Sequence, residues 1–465
     1  MQMIIEARLV GADEDAQGVV IPLGSIARQN DDIEQLGLSL AESKQLLAAT
    51  QVALMKIQAA SWIDHERVCR FCQVPLRRKD SRNIVMRTVF GKAQLNSPRF
   101  WACDCDQVGQ WESRTVSPLS RALTKRVTPE LAYLQTRWAA YLPYAASTAL
   151  LRQVLPVDDC ISASGSRNRI KSAGRQIEAR IEQDIDRLSL VDDTHNPKES
   201  GRVSTISVDS VWVRHARPTP GYGRHVHITA GRATLNDGSN RVYAFVGRRI
   251  HSRADRLDQF LGRCGVRWDE RVTVICDGAN EFATAIRGSR LARGQVLDWF
   301  HLAMKFRAAE QSVVGSRQQE GPDWDSISAQ ITSAKWLVWH GKGRQAIKRL
   351  KTVLNELERW PGQEFSTLWW NVDKARSYVG GNGQYLANYS ARHRRGLPIS
   401  SAIAESAVNQ VVSHRMAKKK QMRWSENGAH AMAQVRAAEL NGELTPTTFG
   451  FPPHAYQFDE WKQAA

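Results

Sequence analysis

Residues 203–213 read VSTISVDSVWV, and the region that they open decides the fold. β-branched and aromatic residues are frequent in this stretch and in two others, HVHITAGRATL (225–235) and RVYAFVG (241–247). This composition is typical of strands. The elements predicted next are a helix at 252–262, a buried strand in VTVICD (272–277), a short helix from Asn280 and a strand in QVLDWF (295–300). The order β-β-β-α-β-α-β is typical of an α/β domain.

This order matches the first part of an RNase H-like α/β fold, which we assign to residues 203–302. Residues 303–395 are rich in tryptophan and have apolar residues at helical spacing, so they are predicted to form a helical insertion. Residues 396–440 would complete the core with an amphipathic helix over about 399–416. The remaining residues, 441–465, are predicted to be a C-terminal tail.

The N-terminal half is predicted to contain three smaller regions. The first is a helical region over 1–66, whose main helix at 37–60 is capped by Ser39 with Glu42 three residues later. The others are a zinc-ribbon-like segment at 67–116 and a helix-turn-helix region at 117–190, and a polar linker containing Pro and Gly separates them from the core.

The chain is strongly basic. It has 64 Lys plus Arg against 47 Asp plus Glu, which gives a formal net charge of +17. Such an excess attracts polyanions, so nucleic acid or an anionic membrane is the expected partner. No apolar run reaches ~18 residues, and the N-terminus lacks the layout of a signal peptide. We therefore expect a cytoplasmic protein that binds no membrane.

Four of the seven cysteines form two close pairs, Cys69-x-x-Cys72 and Cys103-x-Cys105. Two pairs of thiolates can complete a tetrahedral, structural Zn²⁺ site, which would stabilise a segment too short to build its own core. The alternative is that the four are unrelated buried or surface cysteines. The other three cysteines, Cys160, Cys264 and Cys276, are interpreted as small core residues.

Residues 142–180 are predicted to form a helix, a short turn and a second helix capped by Ser162 or Ser164. A helix-turn-helix inserts the start of its second helix into the major groove of DNA. The candidate DNA-binding residues at this position are Arg167, Arg169, Lys171 and Arg175. The alternative is a helical hairpin with a solvated basic face.

Three acidic residues lie in apolar stretches, where an unpaired charge is energetically unfavourable. Asp209 interrupts a β-run, and Asp277 ends a strand at its carboxyl edge, where functional groups of α/β sheets gather. Glu405 lies in the otherwise apolar stretch AIAESAVNQVV, with Asn409 one turn further on. Clustered carboxylates repel one another unless a cation compensates, so the residues predict a Mg²⁺ site. The alternative is that each acid is an ordinary cap or ion pair.

Several longer stretches make the sequence similar to the ISKra-type insertion-sequence transposases, which are bacterial enzymes of the DDE, RNase H-like transposase class. The stretches are SVDSVWVR (207–214), VICDGANEF (274–282), VLDWFHLAMKF (296–306), KWLVWHGKG (335–343) and ISSAIAESAVNQVVSHRMAKKKQMRW (399–424). The cysteine segment and the 37–60 helix also resemble the N-terminal half of that family. The similarity therefore spans nearly the whole chain, except for its C-terminal end.

The resemblance implies that Asp209, Asp277 and Glu405 are the catalytic triad of a DNA transposase that uses two Mg²⁺ (or Mn²⁺) ions. Its substrates would be double-stranded DNA at the transposon ends and at the target, and a homodimer or higher synaptic oligomer would hold two ends together. The expected location is the bacterial cytoplasm, in association with the nucleoid.

The box Asp298-Trp-Phe-His301 resembles an acid-x-x-His box of such enzymes. His301 is interpreted as a catalytic residue that contacts the scissile phosphate, or as a packing residue. Asp298 is either the N-cap of the helix that follows or a fourth acid near the metals. Basic residues near the C-terminus are predicted to grip the DNA backbone, or simply to be solvated: Arg415, Lys418, Lys419 and Arg423, with Lys420, Arg392, Arg394 and Arg395.

Two other functions remain open from the sequence. A transposase-derived regulator would keep the zinc site and the helix-turn-helix but would not be catalytic. A hydrolytic nuclease of the RNase H-like class would cut DNA without joining it.

Overall fold

The computed structural model describes residues 2–9, 19–28, 36–105, 115–157, 160–190, 203, 205–217, 223–235, 237–247, 251–267, 269–270, 272–401, 406, 408–416 and 422–451. The chain divides into two compact units. The first contains Met1–Ile170 together with Leu444–Ala465, and the second contains Lys171–Glu443.

The first unit begins with an antiparallel pair of strands, β1 (Gln2–Leu9) and β2 (Val19–Ala27). The prediction of a helical region over 1–66 does not hold for these strand residues, because short apolar runs do not distinguish a strand from a helix. The helix that follows, α1 (Leu40–Glu66), is confirmed, and Ser39 and Glu42 form its capping box.

A three-stranded antiparallel sheet follows α1. Its strands are β3 (Arg78–Thr88), β4 (Gly91–Trp101) and β5 (Thr115–Val116). Gly91 has a φ of +105° at the turn between β3 and β4, a conformation that side chains disfavour. Ala59 of α1 packs against Ile84 and Leu95 of the sheet in a small apolar core.

Four helices continue the chain: α2 (Pro118–Ala122), α3 (Pro129–Tyr141), α4 (Tyr144–Val154) and α5 (Ala163–Leu190). The positions of α4 and α5 agree with the two helices predicted over 142–180. Ser162 caps α5, because its Oγ accepts a hydrogen bond of 3.0 Å from the Gly165 N–H. The helix-turn-helix interpretation of α4 and α5 stays a prediction.

The second unit is built on a mixed sheet. Its strands are β6 (Thr205–His215), β7 (His225–Thr234), β8 (Asn240–Val246), β9 (Val272–Cys276), β10 (Ala292–Leu297) and the short β11 (Arg423–Trp424). The strand order is β8-β7-β6-β9-β10, and β11 pairs with β6. β7 is antiparallel to both β6 and β8, whereas β9 and β10 run parallel to β6. The predicted order of elements over 203–302 is confirmed.

Two helices lie between the strands in sequence, α6 (Arg253–Arg263) and α7 (Asn280–Gly288). Their apolar residues share one core with the sheet, in which Leu257, Phe260 and Phe282 pack with Ile206 and Val274. This core anchors the middle strands β6 and β9, so the residues at their ends have a fixed backbone.

The tryptophan-rich region forms a helical layer: α8 (Trp299–Ser316), α9 (Trp324–Trp339), α10 (Gly343–Leu357), α11 (Thr367–Gly381) and α12 (Tyr389–Arg394). Its core is continuous with Ile275, Val296 and Leu297 of the sheet. The Tyr389 hydroxyl is buried and donates a 2.7 Å hydrogen bond to the Leu297 carbonyl. The helical layer thus packs directly against the ends of β9 and β10.

A last helix, α13 (Glu426–Leu440), was not among the predicted elements. Ten consecutive residues, Ala429–Ala438, are buried, so the helix shows no polar face by which sequence periodicity could identify it. It passes so close to α5 that a Cβ at Gly174 would collide with Ala431. Asn441 then hydrogen-bonds both backbone groups of Val242 and covers the edge of β8.

A buried ionic cluster joins α5, α6 and α13. Glu178 pairs with Arg256, lies 2.9 Å from His430 Nε2 and accepts a 3.1 Å hydrogen bond from Gln434. Burial by itself raises the pKa of Glu178, but the hydrogen bonds from His430 and Arg256 outweigh burial and lower it to about 2. The cluster therefore depends on an ionised Glu178.

We expect Glu178→Gln to lower the free energy of unfolding by about 3 kcal/mol, because it leaves Arg256 buried without its carboxylate. Since the folded-state pKa is depressed, the stabilisation is present above pH ~4.5 and is lost as the pH falls towards 2. Urea unfolding of the variant should lack this acid dependence. Glu182→Gln, one turn along the same helix, is the control, and equal losses in both variants would contradict the prediction.

One helix in the described part of the chain, Leu40–Glu66, is long and apolar enough to cross a membrane by length and composition alone. The same helix packs against β2 and β4, as a helix of a folded domain does.

Candidate active site and candidate metal centre

Two of the predicted acids stand at one level of the sheet. Parallel pairing sets Ser207 of β6 opposite Ile275 of β9. Asp209 lies two residues after Ser207, and Asp277 lies two residues after Ile275. The backbones of the two acids are therefore level with each other, at the carboxyl end of β9. Alternation along a strand also places them on the same face of the sheet as Ser207 and Ile275.

A third acid occupies the same level on the next strand. Leu297 of β10 pairs with Cys276 of β9, and the Asp298 N–H donates a 2.9 Å hydrogen bond to the Cys276 carbonyl. Asp298 therefore follows β10 just as Asp277 follows β9. The acids of three neighbouring strands therefore lie at one level of the sheet, beside the carboxyl ends of β9 and β10, where α/β sheets place functional groups.

The carboxyl group of Asp209 lies in an electrostatically unfavourable position. Burial raises its pKa, and the charges of Asp277 and Asp298 raise it further, against a 2.7 Å hydrogen bond from the Ser210 N–H and the neighbouring His301. The net pKa is raised, mainly because burial disfavours the charged carboxylate. A bound cation would remove this cost.

The loop after β9 is braced by the helical layer. Asp277 Oδ1 accepts a 3.0 Å hydrogen bond from the Ala279 N–H. The Gly278 N–H donates to the Tyr378 hydroxyl of α11 at 3.3 Å, and a Cβ at Gly278 would collide with the Asn382 side chain. The position of Asp277 therefore depends on α11 as well as on β9.

Asp298 is fully buried and anchors His301. Its Oδ1 accepts a 2.7 Å hydrogen bond from the Phe300 N–H, which confirms it as the N-cap of α8. Its Oδ2 lies 2.7 Å from His301 Nδ1 and also accepts from the Ser401 hydroxyl. Burial raises the pKa of Asp298, but these hydrogen bonds outweigh burial and lower it. Both of its oxygens are thus engaged within the protein.

His301 is held by one ring nitrogen and is partly exposed, with 40% of its side chain accessible. The hydrogen bond to Asp298 raises its pKa, and the charges of Asp209 and Asp277 add to this effect. With Nδ1 engaged by Asp298, Nε2 is the ring nitrogen left for a ligand. A positively charged imidazole beside two carboxylates can donate a hydrogen bond to a phosphate oxygen.

We expect Asp298→Asn to lower the pKa of His301 towards its ordinary value, because the amide removes the charge that stabilises the imidazolium. Because the folded-state pKa of His301 is raised, protonation of His301 stabilises the fold at pH values below its unfolded-state pKa of about 6.5. This stabilisation is lost as the pH rises through the folded-state pKa. The variant should lose this dependence. NMR titration of the His301 ring measures the pKa directly. Asp323→Asn is the control, because Asp323 caps α9 without a histidine partner, and an unchanged His301 pKa in Asp298→Asn would refute the prediction.

The third predicted member of the triad, Glu405, lies outside the described residues, as do Lys418, Lys419 and Lys420. The predicted helix over 399–416 is helical in its described C-terminal part, which includes a π-helix at Asn409–Ser413. Its predicted start is wrong, because Ile399–Ser401 are not helical. These residues instead bond to the start of α8: the Trp299 N–H donates to the Ile399 carbonyl at 3.1 Å.

The predicted DNA-binding residues differ in exposure. Arg167, Arg175 and Arg423 are exposed, whereas Arg169 and Lys171 are partly buried, and burial lowers the pKa of Arg169. The prediction for Arg415 is wrong. Only 2% of it is exposed, and its guanidinium packs over the Trp424 ring at 5.3 Å, so it is a core residue without access to DNA.

The four paired cysteines meet in the first unit. Ligand atoms of Cys69, Cys72, Cys103 and Cys105 all lie within 4.8 Å of one another, which makes this a cluster that could hold a metal such as zinc. No other group of three or more His, Cys, Asp or Glu in the described part of the chain meets this condition.

Backbone hydrogen bonds shape this cluster. One runs from the Val74 N–H to the Cys72 thiol and one from the Cys105 N–H to the Cys103 thiol, so in each case the donor lies two residues after the thiol. The Val74 bond, with hydrogen bonds from the other thiols, lowers the pKa of Cys72 to about 7, whereas the neighbouring thiols raise that of Cys105 to about 12. One thiolate therefore forms readily, but four together require a cation.

Two residues of the acidic site were missed by sequence reasoning. Ser401 hydrogen-bonds to Asp298, and Tyr378 accepts from the Gly278 N–H. Their partners are about a hundred residues away in the chain. No local pattern marks such contacts, so only the fold reveals them.

Comparison of the sequence with protein-family models and with curated proteins gives no match in either.

Proposed function

We propose that the chain is a DDE-type transposase, which cuts DNA strands at the ends of an insertion sequence and joins them to a target. The observation that carries this proposal is the level arrangement of Asp209, Asp277 and Asp298 on adjacent parallel strands. The strand order β8-β7-β6-β9-β10, with only β7 antiparallel to β6 among its neighbours, supports the finer proposal of an RNase H-like core.

The residues fit a divalent metal of the Mg²⁺ type. Carboxylate oxygens are its preferred ligands. Burial and the charges of Asp277 and Asp298 raise the pKa of Asp209, and a bound cation would offset this cost. Asp209 and Asp277 would hold the ions, with Glu405 as the third ligand that the family resemblance implies. Bound Mg²⁺ would activate a water or a 3′-hydroxyl and stabilise the leaving oxygen.

The protein side chains would bind and orient the phosphate. His301, fixed through Nδ1 by Asp298, would donate from Nε2 to an oxygen of the scissile phosphate. Asp298 would act through His301, since its own oxygens are engaged. The loop carrying Asp277 would keep its place because α11 braces it.

The excess of positive charge supports DNA as the substrate. The net charge of +17 favours phosphate binding, and Arg167, Arg175 and Arg423 are exposed for this role. The cysteine cluster would be a structural zinc site of a DNA-binding region, because four closely placed thiols leave no open position for catalysis.

The test is an assay on DNA that carries the cognate ends, both uncut and pre-cleaved, with Mg²⁺ or Mn²⁺ and a supercoiled target. A transposase cuts the ends and joins the 3′-hydroxyl to the target. Nicking without joined products would identify a hydrolytic nuclease. Binding of the ends with neither reaction under any divalent metal would identify a regulator.

A further inference from the structure

A polar cavity lies in the same unit as the acidic site. Its volume is about 760 Å³, and Trp212, His227, Arg253 and Glu281 contribute to its lining. Trp212 is three positions after Asp209 on β6, so its side chain leaves the opposite face of the sheet. The cavity is therefore separate from the carboxylates. It is nevertheless near enough that the charge of Asp277 influences the pKa of His227.

An open aromatic platform forms one side of this cavity. The indole of Trp212 packs on the His227 ring with centroids 4.4 Å apart and a tilt of 34°. Trp212 is nonetheless 53% exposed, although burial of a tryptophan is strongly favourable. The flat imidazole ring supports one face of the indole, and burial lowers the pKa of His227. The remaining surface of Trp212 is available to another planar group.

Polar groups of fixed geometry stand beside the platform. The carboxylate of Glu281 pairs with His227 Nε2 at 3.2 Å and with Arg253 Nη2 at 3.0 Å. Arg253 Nε is buried and has no hydrogen-bond partner among the described residues. A Cβ at Gly247 would collide with the Arg253 guanidinium, so the glycine makes room for it. The cavity thus presents donors and an acceptor that a heterocycle could meet at its edge.

The charges of the lining distinguish between ligands. Arg253 offsets the charge of Glu281, and Glu426 adds a further negative charge to the lining, which disfavours a phosphate inside the cavity but not a neutral base. Arg224 and His225 also line the cavity and are exposed, where they can contact a phosphate outside it. This arrangement fits a nucleotide whose base enters and whose phosphate stays at the rim.

We propose that this cavity binds an unpaired nucleobase of the DNA strand, stacked on Trp212 and contacted at its edge by the Glu281–Arg253–His227 group. The proposal rests on the proposed function in taking DNA as the substrate. It adds that the substrate is bound with a base out of its duplex. Base-on-aromatic stacking tolerates any base, so the site would stabilise an open strand without selecting a sequence.

The experiment measures binding of the full chain without added divalent metal, so that no reaction occurs. The probe is a duplex with a short single-stranded overhang carrying 2-aminopurine, compared with the fully paired duplex of the same length. For Trp212→Ala we expect roughly 10-fold weaker binding of the overhang probe and loss of the 2-aminopurine quenching that stacking causes. Trp212→Phe should keep most of both. Trp336→Ala is the matched control, because Trp336 is 55% exposed but lies in the helical layer.

Wild-type affinity and quenching in Trp212→Ala would overturn the proposal. Equal binding of both probes by every variant would also overturn it, since contacts with phosphates alone would then explain the affinity. The outcome is independent of catalysis. If the wild type neither cuts nor joins DNA but shows quenching that depends on Trp212, the transposase proposal fails and the base site stands. If the enzyme is active but Trp212 has no effect, only the base site fails.

Discussion

Asp277→Asn is expected to reduce DNA cleavage and joining by more than about 10³-fold while DNA affinity stays within a few fold. Asparagine has nearly the same shape as aspartate and can still accept the hydrogen bond from the Ala279 N–H. It lacks the charge that holds a divalent cation next to Asp209. Binding depends mainly on basic groups elsewhere, so the effect should be confined to the reaction.

The assay compares cleavage and joining rates with the Kd for cognate-end DNA at one salt concentration, because such affinities depend on salt. Asp269→Asn is the control. Asp269 has 61% of its side chain exposed and pairs with Arg267 at 3.0 Å, and removing such a surface pair costs little. A fully active Asp277→Asn enzyme would remove Asp277 from the catalytic site.

Cys69→Ser is expected to remove bound zinc from the purified protein and to unfold the sheet of β3–β5. Structural zinc contributes on the order of 10 kcal/mol in small zinc domains, and the apolar core beneath this sheet is small. Metal analysis measures the zinc, and amide hydrogen exchange in β3 and β4 measures the local unfolding. Zinc affinity should also fall with falling pH, because protons compete for the thiolates.

Cys160→Ser is the control for this variant, because Cys160 packs near the core of α3 and α4 rather than in the cysteine cluster. It should keep its zinc and its exchange protection in β3 and β4. Wild-type protein that is folded but free of zinc would refute the assignment of the cluster as a zinc site.

Much of the candidate site was predictable because it lies on strands. VSTISVDSVWV and VTVICD predict strands from composition, and Asp209 and Asp277 stand out within them as charges in apolar surroundings. The paired cysteines were equally visible, and the structure brings all four together. Arg415 was misjudged because a basic residue near other basic residues suggests exposure, whereas burial depends on Trp424 and the surrounding helices.

By itself, the sequence determined the order of strands and helices from 203 to 302, the cysteine pairs and the positions of Asp209 and Asp277, because these depend on local composition and spacing. Only the tertiary structure decided that Asp298 lies level with Asp209 and Asp277 and hydrogen-bonds to His301 and Ser401. It also decided that α13 is a core helix and that Trp212 is exposed beside a cavity. These features come from strand register and from contacts between distant segments. Packing selects such contacts across the whole chain, and no short stretch of residues encodes them.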